Sequence, residues 1–533
     1  MKSPRWYRLR GAVQLLFWFF FIIVLIYTRN PLEKNPFADL YPRLSPHLGA
    51  AASLAAGELM GAFWPALVLL IVTLAAGRFF CSTLCPLGAT MDLTDRLFNR
   101  SKKDAFKTGS TPSRARRIKY LVLLSSLILS AAGIQAAGVV DPLSLAWRSY
   151  GTAVYPAFDY LTKLLLGSLY HVPVVNLVSE PLYGLLKATL LDFNPLMFLN
   201  HLWVFALFIA LMGLAGFSRR FWCRYLCPLG AALALTGRFG ALKRTVDPEK
   251  CVGCLRCVKD CRMNAIHGKG LDTLHGECVQ CFECLKSCEY DAIAFNFSMP
   301  AFERTVEPSS PEVRGGRVSR RDMLTGLGVS LALIPIANIN PSYKNDHSLL
   351  LRPPGALPEK DFLAACVRCG ACMKVCPTNG LHPTLAEAGL EALFTPRLVP
   401  RIGWCEKDCT LCTRVCPTGA IKTLAPTEKE TTVIGTAFII RDLCIPWSEG
   451  RDCIVCEEVC PTATKSIKFR EEYTLNKQGK KVLVKFPVVL EDVCIGCGIC
   501  ENKCPVPGNA AIRVRTAKLK KDEMPAGGGD AYG

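Results

Sequence analysis

The chain has 533 residues, enough for about three domains, with 63 Lys+Arg against 44 Asp+Glu and a net charge of +19. Half of the residues are hydrophobic, only 20% are charged and mean hydropathy is +0.26, which excludes a disordered chain and points to a mixed membrane and soluble build. The 28 cysteines stand in short repeated runs along a long chain, which excludes a small disulfide scaffold.

Uncharged stretches between Arg10 and Arg29, Glu58 and Arg78, Lys119 and Asp141, and Asp192 and Arg219 are each long enough to cross a bilayer. A fifth, between Asp322 and Lys344 with Pro335 near its end, is marginal. Basic residues orient the set. Lys2, Arg5, Arg8 and Arg10 put the N-terminus in the cytoplasm. Lys102, Lys103, Lys107, Arg114, Arg116, Arg117 and Lys119 do the same for the loop after the second span, and Arg219, Arg220, Arg224, Arg238, Lys243 and Arg244 for the segment after the fourth. The basic excess is thus topological, and nucleic acid is not an expected partner. Loops 30–58 and 141–192 face outward, and the apolar 151–195 reads as interfacial helices.

RFFCSTLCPLGATMDLTDR from Arg78 and RFWCRYLCPLGAALALTGR from Arg220 align without gaps at an offset of 142. The membrane part is therefore two copies of a two-span hairpin, each closing in C-x3-C-P, an arrangement of parallel repeats. Cys81 with Cys85 and Cys223 with Cys227 place two thiols about one helical turn apart, and Pro86 and Pro228 disfavour continuation of the helix. Packed thiols, a redox-active dithiol pair, and a joint four-cysteine metal site all fit that spacing.

The other cysteines form six groups of four. Cys251, Cys254, Cys257 and Cys261 read C-x2-C-x2-C-x3-C, repeated by Cys278, Cys281, Cys284 and Cys288 and by Cys366, Cys369, Cys372 and Cys376. Cys405, Cys409, Cys412 and Cys416 widen the first gap to three residues, and Cys444, Cys453, Cys456 and Cys460 widen it to eight. Cys494, Cys497, Cys500 and Cys504 restore it. Three closely spaced thiolates hold one face of a [4Fe–4S] cubane and the fourth completes a neighbouring one. Six such groups, four of them ending in Cys-Pro, favour six [4Fe–4S] clusters over zinc, and no C-x-x-C-H for haem attachment occurs. The first two groups form a two-cluster module at 245–296: Cys251, Cys254 and Cys257 with Cys288, and Cys278, Cys281 and Cys284 with Cys261. Arg262 and Glu289 stand where the pattern usually has proline. The last four groups form a larger module at 355–515.

Residues 297–322 are a linker ending in Ser319-Arg320-Arg321-Asp322-Met323-Leu324, followed by an apolar run at 323–343. This resembles a twin-arginine export signal. Clusters are loaded where thiols stay reduced, so a module carrying them crosses the membrane folded. Residues 516–533 read as a disordered tail. The expected fold is an α-helical membrane domain (1–244; four spans as two hairpin repeats) plus α+β ferredoxin-like modules, the second reached through a fifth span.

Residues 1–300, with two C-x3-C-P motifs followed by two cubane motifs, resemble the NapH membrane ferredoxin-type subunits. Residues 315–515, with twin arginines and four cubane motifs, resemble the NapG and MauM ferredoxin-type proteins. The resemblance implies a quinol dehydrogenase module of periplasmic nitrate reductase-type anaerobic respiration. Electrons would pass from menaquinol or ubiquinol to a periplasmic c-type cytochrome or terminal reductase, with the two-cluster module cytoplasmic and the four-cluster module periplasmic at the bacterial inner membrane. The four groups of the larger module can pair as neighbours (first with second, third with fourth) or nested (first with fourth, second with third), and the resemblance favours the nested pairing. Quinol releases two protons as well as two electrons, so a proton acceptor is needed. His201 and His171, at the outer edge of the membrane domain, are the candidates, with His47, Glu58, Glu180 and Asp192 near them. Two other readings compete: a redox or maturation factor for an exported metalloenzyme, and a cytoplasmic polyferredoxin tethered to the membrane.

Overall fold

The structure, a computed structural model, describes residues 5–32, 37–98, 113–169, 173–192, 196–298, 320–337, 349–385 and 387–516. His171, Lys102, Lys103, Lys107, most of the 297–322 linker and the 517–533 tail lie outside the described residues.

The described residues before Leu242 fold as helices and their connections. α1 (Arg5–Tyr27) has 23 residues, about 35 Å at 1.5 Å per residue. α2 (Pro46–Ala56) opens with Ser45 accepting the Leu48 N–H and proline in the first turn, and ends at Gly57 at φ 73°. α3 (Trp64–Ala76) stops at Gly77, whose φ of 64° and ψ of −157° no other residue adopts readily. Then come α4 (Pro86–Phe98), α5 (Ser113–Ala131), α6 (Pro142–Ser149), α7 (Tyr155–Leu169), α8 (Pro173–Thr189), α9 (His201–Gly213) and α10 (Pro228–Gly237). Among the described residues, α1 alone is long and apolar enough by itself to cross a membrane. α3 and α9 have 13 residues each, extended by short 3-10 turns to Gly61–Ala76 and His201–Gly216, and α5 spends its first two turns on basic residues.

The domain is apolar outside as well as inside. Leu16, Leu67, Ile71, Leu202 and Trp203 are each more than 60% exposed, an exposed apolar belt of the kind that marks an interaction surface. Inside, Phe21, Tyr41, Trp147 and Tyr150 meet ring to ring at 4.9–6.0 Å. α7 and α8 pack against each other, and the Tyr155 hydroxyl at the start of one donates to the Leu190 carbonyl just past the end of the other at 2.8 Å. α11 (Arg320–Ala337) runs alongside α5 in the same sense: Arg117 pairs with Asp322 at 2.9 Å, and Gly326 lies against Leu121 and Leu124.

The two cysteine modules sit at opposite ends of this domain. At the start of α5, Arg116 donates to the Asn264 carbonyl and Lys119 pairs with Glu277, both of the two-group module. Just past the other end of α5, Gly138 abuts Val367 of the four-group module. Three units share one plan. In the first, β1 (Leu242–Val246), before the first cysteine group, pairs antiparallel with β2 (Ile293–Phe297), after the second. In the second, Ala356 bridges to Ile421 around groups three and four. In the third, β3 (Thr436–Ile439) pairs with β6 (Ile512–Arg515) around groups five and six, while β4 (Ile467–Leu475) and β5 (Lys481–Val489) form a hairpin between them.

This strand plan corrects the nested pairing. In the four-group module neighbours pair, first with second and third with fourth. The strands close around two consecutive groups and bring the last cysteine of each beside the first three of the other.

Candidate metal centres

In four of the six groups the short helix carrying the third cysteine is entered through a left-handed residue, Leu255, Phe282, Gly370 or Gly498 at φ 58–82°; in the other two, Thr410 and Ile454 stand there at φ −116° and −115°. That kink turns consecutive thiols toward one point. Six thiol rings result. Ring 1 is Cys251, Cys254 and Cys257 with Cys288, around one cavity. Ring 2 is Cys278, Cys281 and Cys284 with Cys261, which all three sense electrostatically. In ring 3, Cys366, Cys369 and Cys372 face Cys416. Ring 4 is Cys405, Cys409 and Cys412 with Cys376; ring 5 is Cys444, Cys453 and Cys456 with Cys504; ring 6 is Cys494, Cys497 and Cys500 with Cys460. Rings 1, 4, 5 and 6 each surround a cavity of their own.

The donors fit an iron–sulfur cubane. Among the described residues no three of His, Cys, Asp or Glu converge closely enough for a single metal ion. A cubane fills the space between its ligands, so its thiolates stand further apart than those of zinc. Burial pushes the thiols up, Cys278, Cys369, Cys405 and Cys456 to about 12, with neighbouring cysteines adding to it. Such thiols stay protonated until cationic iron takes the proton's place. Backbone N–H groups already point at sulfur, Ala265 at Cys261 at 3.2 Å and Ala437 at Cys494 at 3.4 Å.

Rings 4 and 6 adjoin: the Cys405 N–H donates to the Cys497 carbonyl at 2.9 Å. Rings 3 and 4 share groups, as do rings 5 and 6, so the four-ring module is a line 3–4–6–5. Ring 3 lies at the end next to the helical domain. There Arg148 donates to the Arg368 carbonyl at 2.8 Å, Ser144 to that of Val367 at 3.1 Å, and Lys374 pairs with Asp192 at 3.0 Å.

The four C-x3-C-P cysteines are all buried. In each repeat a short helix (Phe79–Thr83, Phe221–Tyr225) ends and a new one starts at the proline. The preceding cysteine accepts from a backbone N–H, Gly88 to Cys85 at 3.4 Å and Gly230 to Cys227 at 3.1 Å.

His201 opens α9, half-buried, with Nδ1 at 2.6 Å from the Phe198 carbonyl. Glu58 and Glu180 are exposed. His47 is fully buried, at 3.2 Å from Asp141 and 2.8 Å from Ser126, and so is closed to any ligand. Sequence reasoning missed two groups. Asp92 receives Arg220, Gln14 and Arg262 at 2.7–2.9 Å, and His382 accepts the Leu199 N–H at 3.0 Å in the contact with the four-ring module. Arg220 and its repeat partner Arg78 were visible as invariant ends of the internal repeat, the one signal pointing to Asp92.

Comparison with known proteins agrees with this donor set. 4Fe-4S binding domains match residues 59–103 and 200–246, which hold the C-x3-C-P motifs, and residues 244–267. A 4Fe-4S dicluster domain matches 275–380; its two motifs, Cys278–Cys288 and Cys366–Cys376, belong to different modules here. The methylamine utilization ferredoxin-type protein MauM of Methylorubrum extorquens is 39% identical over 224 residues, 40% of this chain and 93% of MauM. The ferredoxin-type protein NapG of Escherichia coli is 32% identical over 218 residues, 40% of this chain and 92% of NapG. The regulatory protein NosR of Pseudomonas aeruginosa is 29% identical over 195 residues, 36% of this chain and 21% of NosR. No solved structure matches.

Fold, thiol rings and matches together define an iron–sulfur electron-transfer protein of the ferredoxin type. The chain belongs to the MauM/NapG family of ferredoxin-type proteins.

Proposed function

We propose that this chain is a membrane-bound quinol dehydrogenase module that joins a NapH-like membrane part to a MauM/NapG-like part. It would take electrons from menaquinol or ubiquinol and deliver them to a c-type cytochrome or terminal reductase outside the membrane. The observation that carries the reading is the placement of two thiol rings at one end of an apolar-surfaced helical domain and four at the other. The 24 ring cysteines are the proposed ligands of six clusters, which when bound supply one-electron transfer over a wide range of potential.

The chain's own residues do the rest. The exposed belt on α1, α3 and α9 suits lipid, and α3, α5 and α9, lengthened by their flanking turns, complete the four spans with α1. α11, parallel to α5, is the fifth. It carries the chain from the cytoplasmic end, with ring 1 and ring 2, to the periplasmic end, with rings 3 to 6, and remains as an anchor packed on α5. His201 is the proposed proton acceptor for quinol. Donation from Nδ1 to the Phe198 carbonyl leaves Nε2 basic, beside the exposed apolar Leu202 and Trp203. Ring 5, at the far end of the outer line with Cys453, Cys456 and Cys504 partly exposed, is the exit toward the acceptor.

Anaerobically purified protein titrated with a quinol under EPR tests this. Quinol should reduce the bound clusters, and His201→Gln should slow that reduction at least 10-fold with iron content unchanged. Full iron content without reduction by any quinol would sink the reading and favour a maturation role.

A further inference from the structure

We propose that Lys429 is the buried counter-charge of the two middle clusters of the outer line, those of rings 4 and 6, and that it raises the reduction potential of both. The inference rests on the cluster reading of the rings and not on the identity of the electron donor or acceptor.

Six lysines and arginines are fully buried among the described residues: Arg78, Lys119, Arg148, Arg220, Lys374 and Lys429. A buried cation is costly unless a carboxylate or several acceptors meet it. Arg78 and Lys119 share Glu277, Arg220 has Asp92 and Lys374 has Asp192. Arg148 has no carboxylate partner but reaches the carbonyls of Gly138, Val139 and Arg368. Lys429 has neither. Its Nζ makes one hydrogen bond among the described residues, to the Lys407 carbonyl at 3.4 Å.

Local structure does not account for this burial. Lys429 lies on a short helix, Pro426–Thr431, and is the one residue that the helix buries. An apolar side chain is the ordinary occupant of such a place. Its neighbours Glu428 and Glu430 are exposed, and Glu430 pairs with the Lys407 ammonium at 3.0 Å. Both carboxylates of the helix thus stay at the surface while its lysine goes inside.

The anions that remain are the rings. Lys407, whose carbonyl holds the Lys429 ammonium, lies between Cys405 and Cys409 of ring 4, in the gap that this group widens to three residues. The Cys405 N–H reaches the Cys497 carbonyl of ring 6 at 2.9 Å, so the ammonium sits where the two rings adjoin. Burial raises the thiols of Cys405, Cys409, Cys412 and Cys497, and Lys429 opposes that rise at all four. Three of them belong to ring 4 and the fourth to ring 6.

A cubane held by four thiolates carries net negative charge, and more of it after reduction. A fixed cation beside it therefore favours the reduced form, and net charge is one of the quantities that set cluster potential. With Lys429 at their junction, rings 4 and 6 hold an electron more readily than the same cysteine motifs in a neutral setting, which favours transfer from ring 3 into the line. Each transfer is one electron lost by one cluster and gained by the next, with no bond or proton moved.

Potentiometric EPR on anaerobically purified full-length protein tests this, with iron and acid-labile sulfide counted first. Lys429→Met, a neutral chain of similar reach, should keep about 24 irons, at four per cubane. In it the reduced-to-oxidised ratio of two centres should fall about 10-fold at a fixed poise, a shift of about 59 mV for one electron, with the other four centres unmoved. Lys429→Arg, which keeps the charge, should leave both centres at their wild-type position. Full iron with unmoved potentials in Lys429→Met overturns the proposal. An equal shift in the Met and Arg variants overturns it too, since that marks shape and not charge. If Lys429→Met loses the clusters of rings 4 and 6 while Lys429→Arg keeps them, the charge is again what those clusters require; loss in both variants overturns the proposal. Wild-type protein with far fewer than about 24 irons overturns the cluster reading itself, and this inference with it.

Discussion

The two cysteine modules are attached to the same helical domain by different physics. The two-ring module is held by buried charge: Glu277 takes Arg78 and Lys119, and Arg262 reaches Asp92 at 2.9 Å. The four-ring module is held mainly by hydrogen bonds to neutral carbonyls, from Arg148, Ser144 and Asn379, by the Leu199 N–H on His382, and by close contact at Gly138. Lys374 with Asp192 is the main ion pair across that contact. One attachment is therefore strong as long as its carboxylates stay ionised. The other depends on an imidazole staying neutral.

Removing a carboxylate should break the charged attachment most. Asp92→Asn leaves Arg220, Arg10 and Arg262 without their shared anion in a buried place, a change that costs about 3–5 kcal/mol. Limited proteolysis should then release a fragment containing rings 1 and 2 while the four-ring module stays protected. Release of both together would mean that the two attachments are one cooperative unit.

Acid separates the two attachments next. His382 is held down at about 4, by burial and then by Arg397, while it accepts the Leu199 N–H. Its folded value lies below the usual 6.5, so its contribution is full above about pH 6.5 and lost as pH falls toward 4, by about 3 kcal/mol at most. For Glu277, burial alone raises the value, but Lys119 and Arg78 outweigh it and hold the carboxyl at about 2. Its contribution therefore persists down to about pH 4.5 and fades only below that. Between pH 6.5 and 4.5 hydrogen exchange should rise at 196–201 and 379–383 and stay constant at 276–278. His382→Gln should flatten the first response.

Packing alone is tested at Gly138. An alanine Cβ there would come within 2.1 Å of the Val367 carbonyl, so Gly138→Ala should force the four-ring module off its seat at a cost of about 1–3 kcal/mol. The iron content of rings 4, 5 and 6 should not change, because their ligands and strand closures lie within the module.

These attachments also mark where sequence reading stops. The cysteine groups were legible because cluster ligation fixes residue type and spacing locally, and the internal repeat was legible because both copies keep the same residues. Ring pairing in the large module was not, since neighbouring and nested pairings use identical spacings. The pairing was decided by strand closures such as Thr436–Ile439 with Ile512–Arg515, short segments without a strong periodic signal. Span lengths were blurred because uncharged stretches continue through Gly77 and Asn200, where the helices themselves stop or start. His382 and Arg148 carry no motif at all, and Asp92 stands in the internal repeat where the other copy has Ala234; all three matter because of what the tertiary structure brings to them.

A finer contrast comes from the two places where the Cys-Pro pattern is broken, and it explains why one break persists. Cys261 stands at φ −67°, ψ 107° and Cys288 at φ −92°, ψ 105°, extended conformations that a following proline accepts, so neither turn excludes proline. Arg262 reaches out of the first turn to Asp92 and Glu283, at 2.9 and 2.7 Å, and thereby ties ring 2 to the helical repeat. Glu289 in the second turn only meets the exposed Arg256. Arg262→Pro should keep the absorption spectrum of rings 1 and 2 but loosen the module by about 1.5–3 kcal/mol, the worth of hydrogen bonds to charged partners, read as a lower unfolding temperature. Glu289→Pro should leave both spectrum and unfolding temperature unchanged. Equal behaviour of the two variants would show that the proline position serves the turn alone, and that Arg262 contributes nothing to holding the two-ring module in place.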